Sequence, residues 1–373
     1  MNKILCLSRA PLDYIGGIPA YCINLYGDNN FNVDVHSYDL SKDIRRRSNR
    51  KNNGINEVIH PSQIVFGTFA FSWSYLLFLF NSTSKYSYLH IQHPDPLSAI
   101  GAIIAKIRNN HIKIVITWHA EIYKNYKLFS PILIIIDLIL FFISYRLIYF
   151  TPYHIKDSLL AKIPYVRNKI QRIPNCIKKP RLKLDILTKN KLVELRSKTE
   201  IKLLSIGRLV KYKGYEYSIR SLIDLDDKVK YTIIGDGPYK NYLINLINNL
   251  KLQNRVFITG KVSEDSKERH LIESDLFLFP SINKSEAYGL VQLEAMYFGL
   301  PIINTELNNG VNYLASEDVA ITCKIKNTNS ITSAINTLID DPKLYAEKSA
   351  NSIENTKKYS IDVMVNSYKK LFI

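Results

Sequence analysis

Residues 201–222, IKLLSIGRLVKYKGYEYSIRSL, decide the reading of the fold. The apolar run at 201–206 reads as a buried strand that stops at Gly207-Arg208; after Lys213-Gly214 the pattern turns helical. The unit recurs downstream. VKYTII at 229–234 stops at Gly235-Asp236-Gly237-Pro238, and LFLF at 276–279 stops at Pro280-Ser281. Short apolar runs at 256–259 and 302–304 complete the series, with helices between. Strands that are apolar along their whole length and alternate with helices predict a parallel sheet covered on both faces.

The first half alternates in the same way. Strand-like runs at 3–8, 33–38, 64–66, 88–91, 113–117 and 146–150 are separated by predicted helices at 18–26, 71–80, 96–107 and 132–144. Residues 45–51, RRRSNRK, predict a charged loop. The stretch PILIIIDLILFFISYRLIYF at 131–150 approaches the length of a bilayer span. Asp137 at its middle and Arg146 near its end speak against one, because a charge at mid-membrane costs a few kcal/mol or more. The expectation is therefore a buried core helix followed by a strand.

A length of 373 residues with 46% hydrophobic content suits two domains. The predicted division is 1–178, a polar linker at 179–199, a second domain at 200–355, and a tail at 356–373 whose amphipathic helix is expected to pack back on the first domain.

The formal net charge is +17, of which +11 falls in residues 1–178. Such a surface favours anionic lipid or phosphorylated substrates. No nucleic-acid motif interleaves aromatic with basic residues, so no nucleic-acid partner is expected. The basic first half and its aromatic-rich helices predict peripheral contact with an anionic membrane. Cys6, Cys22, Cys176 and Cys323 have no zinc or redox spacing and fit a reducing cytoplasm. The opening MNKILCLSRAP reads as a strand, not a leader.

Ligands of open α/β sheets bind at the carboxyl ends of strands, so the chemistry is sought there. Arg208 and Lys213 follow the strand at 201–206 and suit a diphosphate, Arg gripping two oxygens and Lys adding a point charge. Gly235 and Gly237 suit either close backbone approach to a ligand or a tight turn. Glu286 lies in the loop after the strand at 276–279. Gly289 is expected to open a helix whose first N–H groups, around Tyr288 to Leu290, can bind an anion. Glu294, a turn further on, suits the two hydroxyls of a ribose. In the first half, Gly16-Gly17 follows a strand and precedes a helix, and His119 follows another strand in TWHAE. His90 and His93 flank the end of the strand at 88–91. The one D-x-D, Asp224-Leu-Asp226, reads as a solvated helix end, and no metal site is expected.

Together, IGGIPAYCINL, TWHAE, RIPN, LLSIGRLVKYKGYEYSIRSL, IIGDGPY, ITGKV and SEAYGLVQLEAMYFGLPIINT resemble family 4 of the retaining glycosyltransferases over almost the whole chain. The resemblance implies the GT-B fold: two Rossmann-like, doubly wound parallel-sheet domains facing across a cleft. It implies that Gly16 and Gly17 approach the donor diphosphate and that Gly207, Gly235 and Gly237 belong to the donor loops. Arg208 and Lys213 would neutralise the leaving diphosphate. Glu286 and His119 would meet the sugar, Glu294 the ribose and Val262 the base, while Tyr288, Gly289 and Leu290 add contacts to sugar and phosphate. Cys176 and Lys178 stand where the family commonly has Gly and Asp, at the hinge between domains.

The implied reaction is retaining, metal- and cofactor-free transfer of a hexose from a GDP- or UDP-linked sugar. The implied acceptor is a lipid-linked or cell-surface oligosaccharide precursor, as in O-antigen, lipopolysaccharide or capsule assembly. The place is the cytoplasm, at the inner face of the membrane. Two alternatives stay open: a GT-B enzyme of another type, such as a nucleotide-sugar epimerase or a phosphorylase, and a non-catalytic binding subunit.

Overall fold

The structure is a computed structural model. It describes residues 2–14, 16–27, 29–41, 47–66, 69–81, 83–119, 130–157, 162–178, 180, 195–286 and 288–373. The chain divides into two compact units, Met1–Cys176 with Ile361–Ile373, and Ile177–Ser360. Most of the linker predicted at 179–199 lies outside the described residues.

Unit 1 contains β1 (Ile4–Leu7), β2 (Val33–Tyr38), β3 (Ser48–Asn52), β4 (Ile55–His60), β5 (Ile64–Phe66), β6 (Phe69–Phe71), β7 (Tyr88–His93), β8 (Lys113–Trp118), β9 (Arg146–Tyr149) and β10 (Ile170–Arg172). Its main sheet runs β10-β9-β8-β7-β1-β2-β4-β3, while β5 and β6 form a separate hairpin. All neighbours in the main sheet are parallel except β3 and β4.

That antiparallel edge corrects the loop expected at 45–51, of which residues 45 and 46 are not described. Asn53 and Gly54 both take positive φ, 47° and 77°, the geometry of the two-residue turn that matches strand twist. The reversal folds the polar stretch Ser48–Asn52 onto β4. Its burial pattern alternates half-buried and exposed, so apolar content gave no strand signal.

Helix Ser130–Ile143 brings a second correction. It is not enclosed: Ile132, Ile135, Ile139 and Phe142 point outward, and beside Leu140 and Phe141 the inward side carries Asp137, only 4% exposed. Its carboxylate accepts from His93 Nε2 at 2.9 Å, and the His93 ring stacks on Trp118. His93 is thus buried support. Among the described residues no helix is long and apolar enough to cross a membrane.

The last helix, Ile361–Leu371, is part of unit 1. The Tyr21 hydroxyl donates to the Tyr368 hydroxyl at 2.7 Å, and Thr117 Oγ1 lies 2.6 Å from the same oxygen.

Unit 2 is a six-stranded, fully parallel sheet of β11 (Ile201–Ile206), β12 (Val229–Ile234), β13 (Val256–Gly260), β14 (Leu276–Phe279), β15 (Ile302–Thr305) and β16 (Ala320–Cys323). The order is β13-β12-β11-β14-β15-β16. Strand order reverses between β11 and β14, and the carboxyl ends of those two strands flank the crevice where open sheets take ligands. In unit 1 the corresponding reversal lies between β1 and β7.

Candidate functional site

In unit 2 the reversal point gathers the residues singled out by sequence. Gly207-Arg208 leave the end of β11, and Arg208 is exposed. A short helical turn, Lys211–Lys213, brings the lysine back toward the loop after β14, closed by Gly214 at φ 69°. A Cβ at Gly214 would lie 2.1 Å from the Pro280 carbonyl oxygen, so this crossing admits only glycine. The result is an ion pair between Lys213 Nζ and Glu286 Oε2, with both side chains nearly buried. Lys213 Nζ also stands 4.8 Å from the centre of the Phe279 ring. A cation and an anion held at a strand end in low dielectric form a preorganised polar pair.

Gly289 takes φ 74° and caps helix Leu290–Tyr297. Tyr288 beside it is buried. Asn309 Nδ2 donates to the Glu286 carbonyl at 2.6 Å and fixes the loop ahead of that cap. Glu294 accepts from Lys267 Nζ at 2.8 Å, and the same ammonium meets Glu264 at 2.8 Å. Burial pushes the Glu294 carboxyl above its usual range against the pull of Lys267. Burial also works against the charge on Lys267, but Glu294 and Glu264 outweigh it and hold its pKa above the ordinary lysine value. Helix Glu264–Glu273 carries this lysine and follows half-buried Val262 and its cap Ser263.

Gly235 and Gly237 have packing reasons of their own. A Cβ at Gly235 would come within 1.9 Å of the Gly207 carbonyl oxygen, and one at Gly237 within 2.4 Å of Leu209 O. The loops after β11 and β12 are also bonded, Leu209 N to Asp236 O at 2.9 Å and Tyr239 N to Leu209 O at 2.9 Å.

In unit 1, extended Gly16 caps helix Gly17–Tyr26 without a side-chain bond. A Cβ at Gly17 would meet nothing within 4 Å. The loop before it is clamped. Glu57, 1% exposed, accepts Leu12 N at 2.7 Å and Arg50 Nε at 2.6 Å, and Arg50 reaches on to Asp13 at 2.7 Å. His119 follows β8; its Nε2 lies 2.9 Å from Gln92 Oε1, and its ring stands edge-on to Tyr21 at 5.0 Å. Ala120 and Glu121 of the TWHAE element lie outside the described residues. His90, fully buried, bonds the Tyr26 hydroxyl and Thr117 Oγ1. Asp226 Oδ1 accepts Lys228 N at 2.9 Å in a turn, and no group of His, Cys, Asp or Glu among the described residues is arranged to hold a metal.

Residues 188–359 match the family model described as glycosyl transferases group 1. This region belongs to that family. Over 188 residues the chain is 30% identical to an uncharacterized glycosyltransferase of Haemophilus influenzae, an alignment of 49% of this chain and 51% of that protein, so the chain spans about half of that relative's length. It is 27% identical over 312 residues to the alpha-monoglucosyldiacylglycerol synthase of Streptococcus pneumoniae, covering 76% of this chain and 68% of the relative. In structure it is similar to sucrose-phosphate synthase from Thermosynechococcus elongatus, with TM-score 0.76, 15% identity, and 100% and 98% of the two chains covered. The fold is GT-B.

Within this glycosyl transferase domain, sequence reasoning missed Lys267 and Asn309. Lys267 sits three residues after Glu264 and looks like half of a surface helix pair; only the tertiary fold brings it to Glu294. Asn309 carries no sign that its amide spans to the Glu286 loop. In unit 1 the Arg50–Glu57–Asp13 clamp was also missed, although Asn53-Gly54 announces the hairpin that delivers Arg50.

Proposed function

We propose that this chain transfers a hexose from a UDP- or GDP-linked sugar to a lipid-linked or cell-surface glycan precursor, with retention at the anomeric carbon and without a metal. The observation that carries the reading is the Lys213–Glu286 pair at the point where strand order reverses, with Arg208 exposed just past the end of β11. Two cations suit the departing diphosphate, and a carboxylate held within reach of them suits a sugar hydroxyl. In the reaction, the bond from the anomeric carbon to the diphosphate oxygen breaks. The acceptor hydroxyl oxygen bonds that carbon, and its proton leaves with the diphosphate. Arg208, Lys213 and the helix start at Gly289 would stabilise the charge that develops, each donor contributing ~3 kcal/mol.

Glu294, oriented by Lys267, would accept the ribose hydroxyls, with Val262 beside the base. Gly16 and Gly17 would admit a phosphate, and His119 would bond a sugar hydroxyl. The name of the streptococcal relative, a diacylglycerol glycolipid synthase, supports a lipid acceptor.

The test supplies UDP- and GDP-sugars with a bacterial lipid extract and follows release of nucleoside diphosphate. Release only with acceptor present, accompanied by a glycosylated lipid product, is expected; this separates transfer from epimerase and phosphorylase chemistry. Arg208→Ala and Glu286→Ala should each lower turnover by about 100-fold or more. Wild-type turnover in either would overturn the assignment.

A further inference from the structure

Unit 1 exposes an apolar face built from neighbouring helices. Helices Trp73–Asn81, Pro96–Arg108 and Ser130–Ile143 pack side by side, and their inner residues, among them Leu79, Ala102 and Phe141, share one core. A Cβ at Gly101 would lie 2.1 Å from Leu79 Cδ1, so the first two helices are in close contact. Their outer sides remain apolar. Trp73, Leu77 and Phe80 form one stripe at helical spacing, and Ile132, Ile135 and Ile139 form another, each residue at least 43% exposed. Ile107, on the helix between, is 78% exposed.

Among the described residues, the charges in contact with this face are cations. The three helices hold a single acidic residue, Asp137, and it is turned inward to His93. Cations stand at the edge instead. The Arg108 guanidinium lies 4.6 Å from the Phe80 ring centre. Lys169 Nζ lies 4.2 Å from the ring centre of Tyr165, which stacks on Phe142. Arg167 and Lys162 are exposed nearby in sequence. An apolar stripe edged by cations, on helices whose single acid is turned inward, is complementary to a bilayer surface bearing anionic head groups.

We propose that this face, formed by helices Trp73–Asn81, Pro96–Arg108 and Ser130–Ile143, seats unit 1 on an anionic phospholipid membrane. The isoleucines and Trp73 enter the head-group layer, and Arg108, Arg167 and Lys169 pair with lipid phosphates. The inference goes beyond the proposed transfer reaction and does not depend on it.

The test is co-sedimentation of the full chain with vesicles of phosphatidylglycerol and phosphatidylcholine, against vesicles of phosphatidylcholine alone. Wild type should bind the anionic vesicles at least tenfold more tightly, and less tightly as salt rises. The triple variant Ile132→Ser/Ile135→Ser/Ile139→Ser should bind at least tenfold more weakly with an unchanged melting temperature, since the altered side chains are exposed. Arg108→Glu/Arg167→Glu should lose the preference for anionic lipid while keeping the fold. A UDP-induced thermal shift, run in parallel, should be equal in all forms, so failure of the donor reading is seen separately from failure of vesicle binding. Equal binding to both vesicle types, a triple variant that binds like wild type, or a wild-type dimer in analytical ultracentrifugation that the variant lacks would overturn the proposal; the last would make the face a contact between copies.

Discussion

The glycines at the strand ends of the two units serve different ends. In unit 2, Gly235 and Gly237 sit where a Cβ would strike the carbonyls of Gly207 and Leu209, so the packing of two adjacent loops already requires them. In unit 1, a Cβ at Gly17 would enter open space, and one at Gly16 would make only ordinary contact with Pro19 and Tyr14. A glycine pair after a strand therefore points to a ligand chiefly where packing does not explain it. The cores differ as well. Unit 1 buries His36, His60, His90 and His93, whereas the one histidine of unit 2 is half-buried His270.

The histidines allow the comparison to be broken at the largest scale. Burial pushes His36 down to about 2, His90 to about 3 and His60 to about 4. Unfolded imidazoles take up protons near pH 6.5 while these folded ones stay neutral, so stability is full above that pH and falls as pH drops toward 4. At pH 5 each contributes a loss of at most roughly 2 kcal/mol. Both tryptophans, Trp73 and Trp118, lie in unit 1, so denaturant melts followed by their fluorescence report that unit. The fluorescence midpoint should fall from pH 7.5 to pH 5 while the remaining far-UV transition holds; a fall confined to the latter would reverse the contrast.

Next in size is Gly235→Ala. At φ 154° and with the Gly207 oxygen in the way, the extra methyl combines backbone strain with overpacking, about 4 kcal/mol together. Unit 2 should unfold early by circular dichroism, with the tryptophan transition nearly unmoved. Coincident, unshifted transitions would show that the loops yield easily.

Glu57→Ala removes the buried acceptor of Leu12 N and Arg50, and should cost unit 1 about 2 kcal/mol in the tryptophan melt. A loss under about 0.5 kcal/mol would mean that the hairpin does not hold the loop before Gly16.

The smallest stability effect is expected at Gly17→Ala, within about 0.5 kcal/mol. UDP affinity by calorimetry should nevertheless weaken about tenfold, near 1.4 kcal/mol. Unchanged affinity would mean that Gly17 does not meet the nucleotide.

Much of unit 2 was legible because its central strands are mostly apolar and end at glycine or proline: the runs at 201–206, 229–234 and 276–279 have the bounds found in the structure. Short edge strands such as Ala320–Cys323 were not, since half-buried edges alternate weakly. In unit 1 the Asn53-Gly54 turn was present in the sequence but was outweighed by the charge of its flank. Helix Ser130–Ile143 misled for the opposite reason: its composition suits a core, and composition does not say which side faces inward.

For the site, sequence alone determined which residue types stand after which strands: Arg208 and Lys213 after one, Glu286, Gly289 and Glu294 after another. Strand-end position follows from local pattern, and pattern is written along the chain. Only the tertiary structure decided the partners. It set Lys213 against Glu286, Lys267 against Glu294, and Asp137 inward against His93. Each of these pairings joins residues far apart in the chain, through the order of strands in a sheet or the rotation of a helix about its axis, and no local propensity encodes either.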